Sequence, residues 1–416
     1  MSYEIKESTP YVSISDAASA LDVSVDTIRR WEKKGLIKAH RNAATHRLFQ
    51  ISELERLKAK LLGQSSEHGY KILTAPIRTN FKVVELFAGA GGLALGFHNA
   101  GLACELLVEI DKFPVETLKK NQPSWNVIAD DIANVDFRGI KADVVAGGFP
   151  CQAFSYAGKK MGFEDTRGTL FFEYARAIKE ISPKVIVGEN VRGLEKHDGG
   201  RTLSTMMQIL DQLGYHAEYK VLRAQYLDVP QKRERLVILG IKKGIKGNIA
   251  YPKEQDYTIS LREALKHVPA SQGQKYTEKK RHIMSLISEG GYWKDLPDNL
   301  RQEYMGASYF LGGGKTGMAR RLAWDEPSLT LTCNPAQKQT ERCHPSETRP
   351  LNVREYARIQ TFPDSWEFSG PVSSQYKQIG NAVPVNLGYH IGKCVIAMLT
   401  QKFDRNEMIV YPRNTK

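Results

Sequence analysis

Cysteine is scarce in this chain of 416 residues. Cys104, Cys151, Cys333, Cys343 and Cys394 are five in number, widely spaced and without a CxxC pair. That excludes a disulfide framework as the basis of the fold. It also withholds the close ligand pairs of a structural zinc site. Cys333, Cys343 and His344 come nearest to a metal set, and no metal is expected. No apolar run approaches the length of a bilayer span, and "MSYEIKESTP" has neither the basic nor the apolar part of a signal peptide. The expected location is cytoplasmic, with no membrane partner. Internal repeats are also missing.

Positive charge, by contrast, is plentiful. The chain carries 59 Lys and Arg against 46 Asp and Glu, a formal net charge of +13. Hydrophobic content of 41% and charged content of 25% are ordinary for a globular protein. The basic excess favours a polyanionic partner, nucleic acid first.

The length allows two or three domains. Residues 1–62 form a small basic unit. In "SISDAASALDVSVDTIRRWEKKGLI", Ala17, Ala18, Leu21, Val23, Val25, Ile28 and Trp31 recur at helical spacing. Two short helices with a tight turn at "DVS" are expected, the second capped by Ser24 or Asp26 and ended by Gly35. A basic loop and a third helix follow. Residues 63–80, rich in Gly, Ser, Thr and Pro, read as a linker.

From Phe81 the pattern becomes strand and helix in alternation, which predicts a doubly wound, mainly parallel α/β sheet over 81–245. Residues 246–345 break the rhythm with interleaved Gly, aromatic and basic residues, and read as a separate loop-rich domain. Residues 346–416 return to helix, ending in one apolar helix, "QIGNAVPVNLGYHIGKCVIAML".

In such a sheet ligands bind at the carboxyl ends of the strands, and four notable segments fall there. "ELFAGAGGLALG" puts Gly89, Gly91 and Gly92 between a strand and a helix; its "GAGG" is neither a GxGxxG nor a P-loop. Glu109 ends the next strand, where a carboxylate can hold both ribose hydroxyls of an adenosine-containing cofactor. In "DDIANVD", Asp131 is placed to take an adenine amino group and Ile132 to pack on its ring. "GGFPCQAFS" presents Cys151 at a strand end, and "GEN" presents Glu189 at the neighbouring one, a nucleophile and an acid for one pocket.

The segments "VSVDTIRRWEKKGLI" and "THRLFQISELERL" resemble the winged helix-turn-helix of the MerR and excisionase type. By that resemblance the second helix turns Thr27, Arg29, Arg30 and Lys33 toward DNA, with Arg41, His46 and Arg47 on the wing.

The ordered set "ELFAGAGGL", "VEID", "DDI", "GGFPCQAFS", "RGTLFF", "GENV", "VPQKRERLVILG", "RPLNVREYARIQTFP" and "QIGNAVPVNLG" resembles the DNA (cytosine-5)-methyltransferase family over about four-fifths of the chain. The resemblance implies a Rossmann-like S-adenosylmethionine-dependent methyltransferase sheet with a smaller target-recognition domain. It implies Cys151 as nucleophile toward C6 of a flipped cytosine and Glu189 as the donor to N3. Arg235 would reach the cytosine O2, with Arg233 steadying the site and Asn190 orienting it. Carried over residue by residue, Phe87, Gly89, Gly91, Leu93, Glu109, Ile110, Asp131, Ile132, Pro150, Leu170, Asn381 and Ala382 would hold S-adenosyl-L-methionine. Ile110 departs from the aromatic residue some members carry.

The long loop after Cys151 is expected to close on DNA, with Gln152 and Ser155 near the vacated stack and Lys159 and Lys160 on phosphates. Tyr292, Trp293, Lys315, Arg320, Arg321, Lys338 and Arg342 are candidate contacts in the recognition domain. The expected partners are duplex DNA, a restriction endonuclease as functional counterpart, and the protein's own promoter through the N-terminal unit. The chain is expected to act as a monomer. An RNA cytosine-5 methyltransferase and a DNA-binding regulator on a methylase scaffold are the alternatives.

Overall fold

The computed structural model describes residues 11–21, 23–33, 35–41, 45–50, 53, 54, 57, 69–149, 170–312 and 315–412. The chain divides into two compact units, 1–69 and 70–416.

In the first unit, helices Ile14–Leu21 and Val25–Lys33 pack beside a three-stranded sheet of β1 (Tyr11–Ser13), β2 (His40–Arg41) and β3 (Arg47–Gln50), ordered β1-β3-β2. Ala17, Ala18, Leu21 and Ile28 fill its core as their helical spacing predicts, joined by Ile37 and Phe49. Ser24 caps the second helix, its Oγ accepting from the Thr27 N–H at 3.2 Å.

The second unit is built on a seven-stranded sheet. In chain order these are β4 (Lys82–Leu86), β5 (Ala103–Glu109), β6 (Val127–Ala129), β7 (Val144–Gly147), β8 (Val185–Val191) and β9 (Tyr215–Arg223). A two-residue strand, β10 (Gln231–Lys232), precedes the last member, β11 (Glu234–Lys242). The order is β6-β5-β4-β7-β8-β11-β9. The pairs among β4 to β8 are parallel, while β11 runs antiparallel to both β8 and β9.

Helices on both faces explain why the inner strands β7 and β8 begin as the continuous apolar runs "VVAG" and "VIVG". With a period of two, Val84, Leu86, Val145, Ile186, Leu236 and Ile238 join one core with helices Leu170–Ile181 and Arg201–Gln212. Val83, Val144, Ala146, Val185, Val187, Val237 and Leu239 join the opposite core with helices Gly92–Ala100 and Val385–Thr400. The last two helices meet backbone to backbone, since a Cβ on Gly96 would lie 2.6 Å from the Gly388 Cα.

The C-terminal apolar segment differs from the single helix expected. It forms helix Val372–Asn381 and helix Val385–Thr400, interrupted before Pro384, which cannot donate to a helical ladder. By length and composition alone, Val372–Thr400 passes for a membrane-crossing stretch. However, 72% of its apolar window lies buried inside the protein.

Two small sheets complete the unit: β12 (Ile249–Pro252) with β14 (Met408–Tyr411), and β10 with β13 (Ser328–Leu329). Within the loop-rich stretch, Ile283, Met284, Ile287, Trp293, Leu296, Met305 and Met318 form a core of their own. Residues 70–79, which composition assigns to a linker, are stitched to the body. Tyr70 Oη donates to the Arg358 carbonyl at 3.0 Å, and the Ala75 N–H donates to the Asn99 carbonyl at 2.7 Å.

Candidate functional site

β4 lies between β5 and β7, so the chain turns to one side of the sheet and then to the other. The carboxyl ends of these strands border a crevice there. A cavity of about 740 Å³ occupies it. The strand that leads in from β4 ends on Phe87, whose φ of 59° is unusual for a side chain of that size. Gly89 follows with φ 55°. Glu109, at the end of β5, accepts from the Gly89 N–H at 2.7 Å and from the Asp111 N–H at 2.8 Å. One carboxylate thus fixes both turns that frame the cavity.

β8 carries Glu189 and Asn190. Because β11 is antiparallel, its first residues stand at this same rim, with Arg235 opposite Val191. A parallel β11 would have carried "QKRER" to the far edge. Arg235 Nε sits 2.7 Å from Glu189 Oε1, both side chains being nearly buried. Asn190 Nδ2 donates to the Phe149 carbonyl at 2.7 Å, which ties the end of β8 to the backbone just before residue 150.

Arg233 points the other way. Only 1% exposed, it donates through Nη2 to the Gly380 and Ala382 carbonyls at 3.0 Å each. It thereby clamps the late segment 380–382 against the sheet. Asn381 and Ala382 reach the cavity wall by this route.

Among the expected cofactor residues, Phe87, Gly89, Leu93, Glu109, Ile110, Asn381 and Ala382 line the cavity. Four do not fall on its wall. Gly91 is a packing position, where a Cβ would lie 2.6 Å from Leu118 Cδ2. Asp131 caps a short 3-10 turn, accepting from the Ala133 N–H at 3.0 Å, and Ile132 is buried in the core. Leu170 begins a helix and is 39% exposed. Pro150, Cys151, Gln152, Ser155, Lys159 and Lys160, with the expected closing loop, lie outside the described residues.

Sequence reasoning missed Glu85. It sits on β4 between Val84 and Leu86, is 3% exposed, and lines the cavity. Its Oε2 has no hydrogen-bond partner. Burial, with Glu109 and Glu189 nearby, holds its carboxyl well above the usual range. The signal was available: a carboxylate inside an otherwise apolar strand. Lys377 and Gln378 also line the cavity and were not anticipated.

The expected DNA contacts divide. Arg29 and Arg30 are exposed on the second helix of the N-terminal unit. Arg47 on β3 is bound to Glu32 of that helix at 2.9 Å. Arg320 stacks its guanidinium 5.9 Å from the Tyr292 ring centre. Arg321 requires correction. It is 4% exposed, and its guanidinium donates to the carbonyls of Met284, Ile287, His344 and Glu347 and to Thr348 Oγ1. It is an internal strut rather than a surface contact. Arg342 is likewise buried, on the Thr330 and Glu341 carbonyls, and Trp293 belongs to the local core. Among the described residues no group of three metal-ligating side chains comes together.

A doubly wound sheet with a glycine-framed cavity at its switch point, and an acid–arginine pair at the rim, places a ligand site where α/β proteins of this class bind nucleotide-containing molecules. The C-5 cytosine-specific DNA methylase family matches residues 81–397, and the MerR family of regulatory proteins matches residues 13–49. The chain belongs to the C-5 cytosine-specific DNA methylase family and is a DNA (cytosine-5)-methyltransferase. It is 54% identical over 401 residues to the type II methyltransferase M.Eco47II of Escherichia coli, covering 93% of this chain and 95% of that one. It is 53% identical over 402 residues to M.PspPI of a Psychrobacter strain, covering 94% and 96%. In fold it is similar to the Schizosaccharomyces (S. pombe) Dnmt2 methyltransferase, with a TM-score of 0.51 at 16% identity over 78% of this chain and 100% of that one. A protein described as a DNA modification methyltransferase encoded within an E. coli prophage gives 0.56 at 22% identity, over 77% and 100%.

Proposed function

We propose that this enzyme is the modification methyltransferase of a type II restriction–modification system. In this reading it methylates one cytosine in a short duplex sequence, with S-adenosyl-L-methionine as donor. The observation that carries it is the Glu189–Arg235 pair, 2.7 Å apart at the rim of the cavity, beside the backbone that leads into Cys151. The donor supplies a methyl group on a sulfonium. The cavity suits such a molecule. Ile110 offers an apolar face 67% exposed, Glu109 keeps lone pairs free for hydroxyls, and the unpartnered Glu85 Oε2 faces no competing donor.

Cytosine C5 is a weak nucleophile, and the chain's own residues overcome this. The Cys151 thiolate adds to C6, forming a C–S bond and pushing electrons toward N3. Glu189 hydrogen-bonds to N3 and delivers a proton there, so charge does not accumulate on the ring. Arg235, already held by Glu189, reaches toward O2 and fixes the base. C5 then takes the methyl group, the C5 proton leaves to water as the thiolate is expelled, and the N3 proton returns to the Glu189 carboxylate, which restores its pair with Arg235. Arg233 is a positioning residue that secures the segment bearing Asn381.

Duplex DNA hides C5, so the base must be extruded, and the loop from Gln152 onward would close on the strand. The loop-rich segment 246–345 would read the sequence, with Arg320, Lys315 and Lys338 among its candidate cations. Residues 1–62 would bind the protein's own promoter, and the enzyme would work as a monomer alongside a cognate endonuclease. Tritium transfer from the labelled donor to duplex DNA and to RNA tests the substrate reading. Label in duplex DNA is expected, and label in RNA alone would overturn it. A gel shift on the promoter with residues 1–70 deleted tests the second role, and unchanged operator binding would sink it.

A further inference from the structure

Beyond the cofactor cavity the rim opens into a second cleft of about 430 Å³. The two share Val191, Arg233 and Arg235. The cleft continues into a shallower depression of about 330 Å³ along β9, which shares Arg192 and Arg223 and adds Lys220 and the half-exposed Tyr219. A continuous path therefore leads from the Glu189–Arg235 pair to the edge of the sheet.

Of the cations along this path, Arg192, Arg223 and Lys232 are each held by a carboxylate at the cleft. Arg192 is 2.6 Å from Glu234. Arg223 grips Glu254 through Nε, 2.9 Å and 3.1 Å from the two oxygens, while its guanidinium lies 4.6 Å from the Tyr226 ring centre. Lys232 is 2.7 Å from Glu326. The cationic side chains are 41–55% exposed, so these pairs contribute little to stability. A carboxylate and a phosphate present the same face to a guanidinium. The carboxylates hold each cation in the pose in which a phosphate would meet it.

We propose that this cleft holds the phosphodiester backbone of the target strand beside the extruded cytosine, its phosphates displacing Glu234, Glu254 and Glu326 from Arg192, Arg223 and Lys232. The inference rests on the methyl-transfer reading of the adjoining rim. It accounts for how a groove next to a catalytic acid can be rich in cations without binding anions indiscriminately: an incoming chain must outcompete three carboxylates at once.

The test is the salt dependence of duplex binding, read by fluorescence anisotropy and in parallel by the KM for DNA in tritium transfer. Arg223→Ala should weaken binding about fivefold near 0.15 M salt and reduce the slope of log K against log salt by about 0.9. Arg223→Lys should keep the slope. Glu254→Gln should act oppositely and tighten binding, because it frees Arg223. The KM for S-adenosylmethionine and the melting temperature report whether either variant has disturbed the fold. Weakening by both Arg223→Ala and Glu254→Gln, or an unchanged slope in Arg223→Ala, would overturn the exchange. If the unmodified enzyme bound duplex but transferred no methyl, the rim reading would fall, while the anisotropy slopes would still decide the cleft.

Discussion

The rim of the sheet and the loop-rich segment 246–345 are both dense in charge, yet they use it differently. At the rim, the strand ladders satisfy most of the backbone, so Glu189 and Arg235 are left to face a cavity and each other. In the loop-rich segment few ladders exist, and backbone carbonyls need donors from elsewhere. Arg321 and Arg342 are recruited as those donors and are buried. Arg233 shows the same rule at the boundary, clamping the irregular segment 380–382 while Arg235, two residues on, meets Glu189. An arginine in a regular strand end is a candidate for function, whereas one in irregular chain must first be acquitted of holding the chain together.

The contrast can be broken by mutation. Cys151→Ser or Glu189→Gln should reduce methyl transfer by at least about 10³-fold, measured by tritium incorporation, with little change in melting temperature. A stability loss matching the activity loss would erase the distinction at the rim. Arg321→Met should do the reverse, costing about 3–5 kcal/mol in urea unfolding, because many carbonyls lose their donor at once. Its DNA-binding salt slope should be that of the unmodified enzyme. Glu109→Ala should weaken binding of S-adenosylmethionine by about tenfold or more in calorimetry, since the Gly89 and Asp111 amides lose their acceptor.

Glu85 sharpens the contrast through pH. Burial, with Glu109 and Glu189 nearby, holds its folded carboxyl well above the ordinary carboxylate range, so the folded state holds a proton that the unfolded state releases. Its contribution to stability is complete below about pH 4.5 and declines as pH rises toward the raised folded value. Relative to Glu85→Gln, the unmodified enzyme should therefore lose about 1.4 kcal/mol per pH unit across that window, read from urea midpoints. A pH-independent difference would mean that Glu85 is charged in the fold.

Much of this was legible in the sequence, for physical reasons. Runs such as "VIVG" and "VVAG" are apolar because both sheet faces are covered, and Gly101 ends its helix in a left-handed turn with φ 107°. The order of the strands was not legible, because pairing between distant segments leaves no local trace. The antiparallel insertion of β11, which brings Arg235 to Glu189, is of that kind. Pro384 marks in the sequence the point where the final apolar segment breaks into two helices. The fate of Arg321 was hidden, since a surface and a buried arginine look alike until carbonyls without ladder partners are located.

The methylating centre proposed for the rim uses Glu189 and Cys151 on cytosine C5. Its most direct test is to incubate the enzyme with duplex DNA and methyl-tritiated S-adenosylmethionine, digest the DNA to nucleosides and separate them. Label is expected in 5-methyl-deoxycytidine and absent with Cys151→Ser; label on an exocyclic amine, or 5-methyl-deoxycytidine still formed by Cys151→Ser, would contradict a C5 centre that works through Cys151.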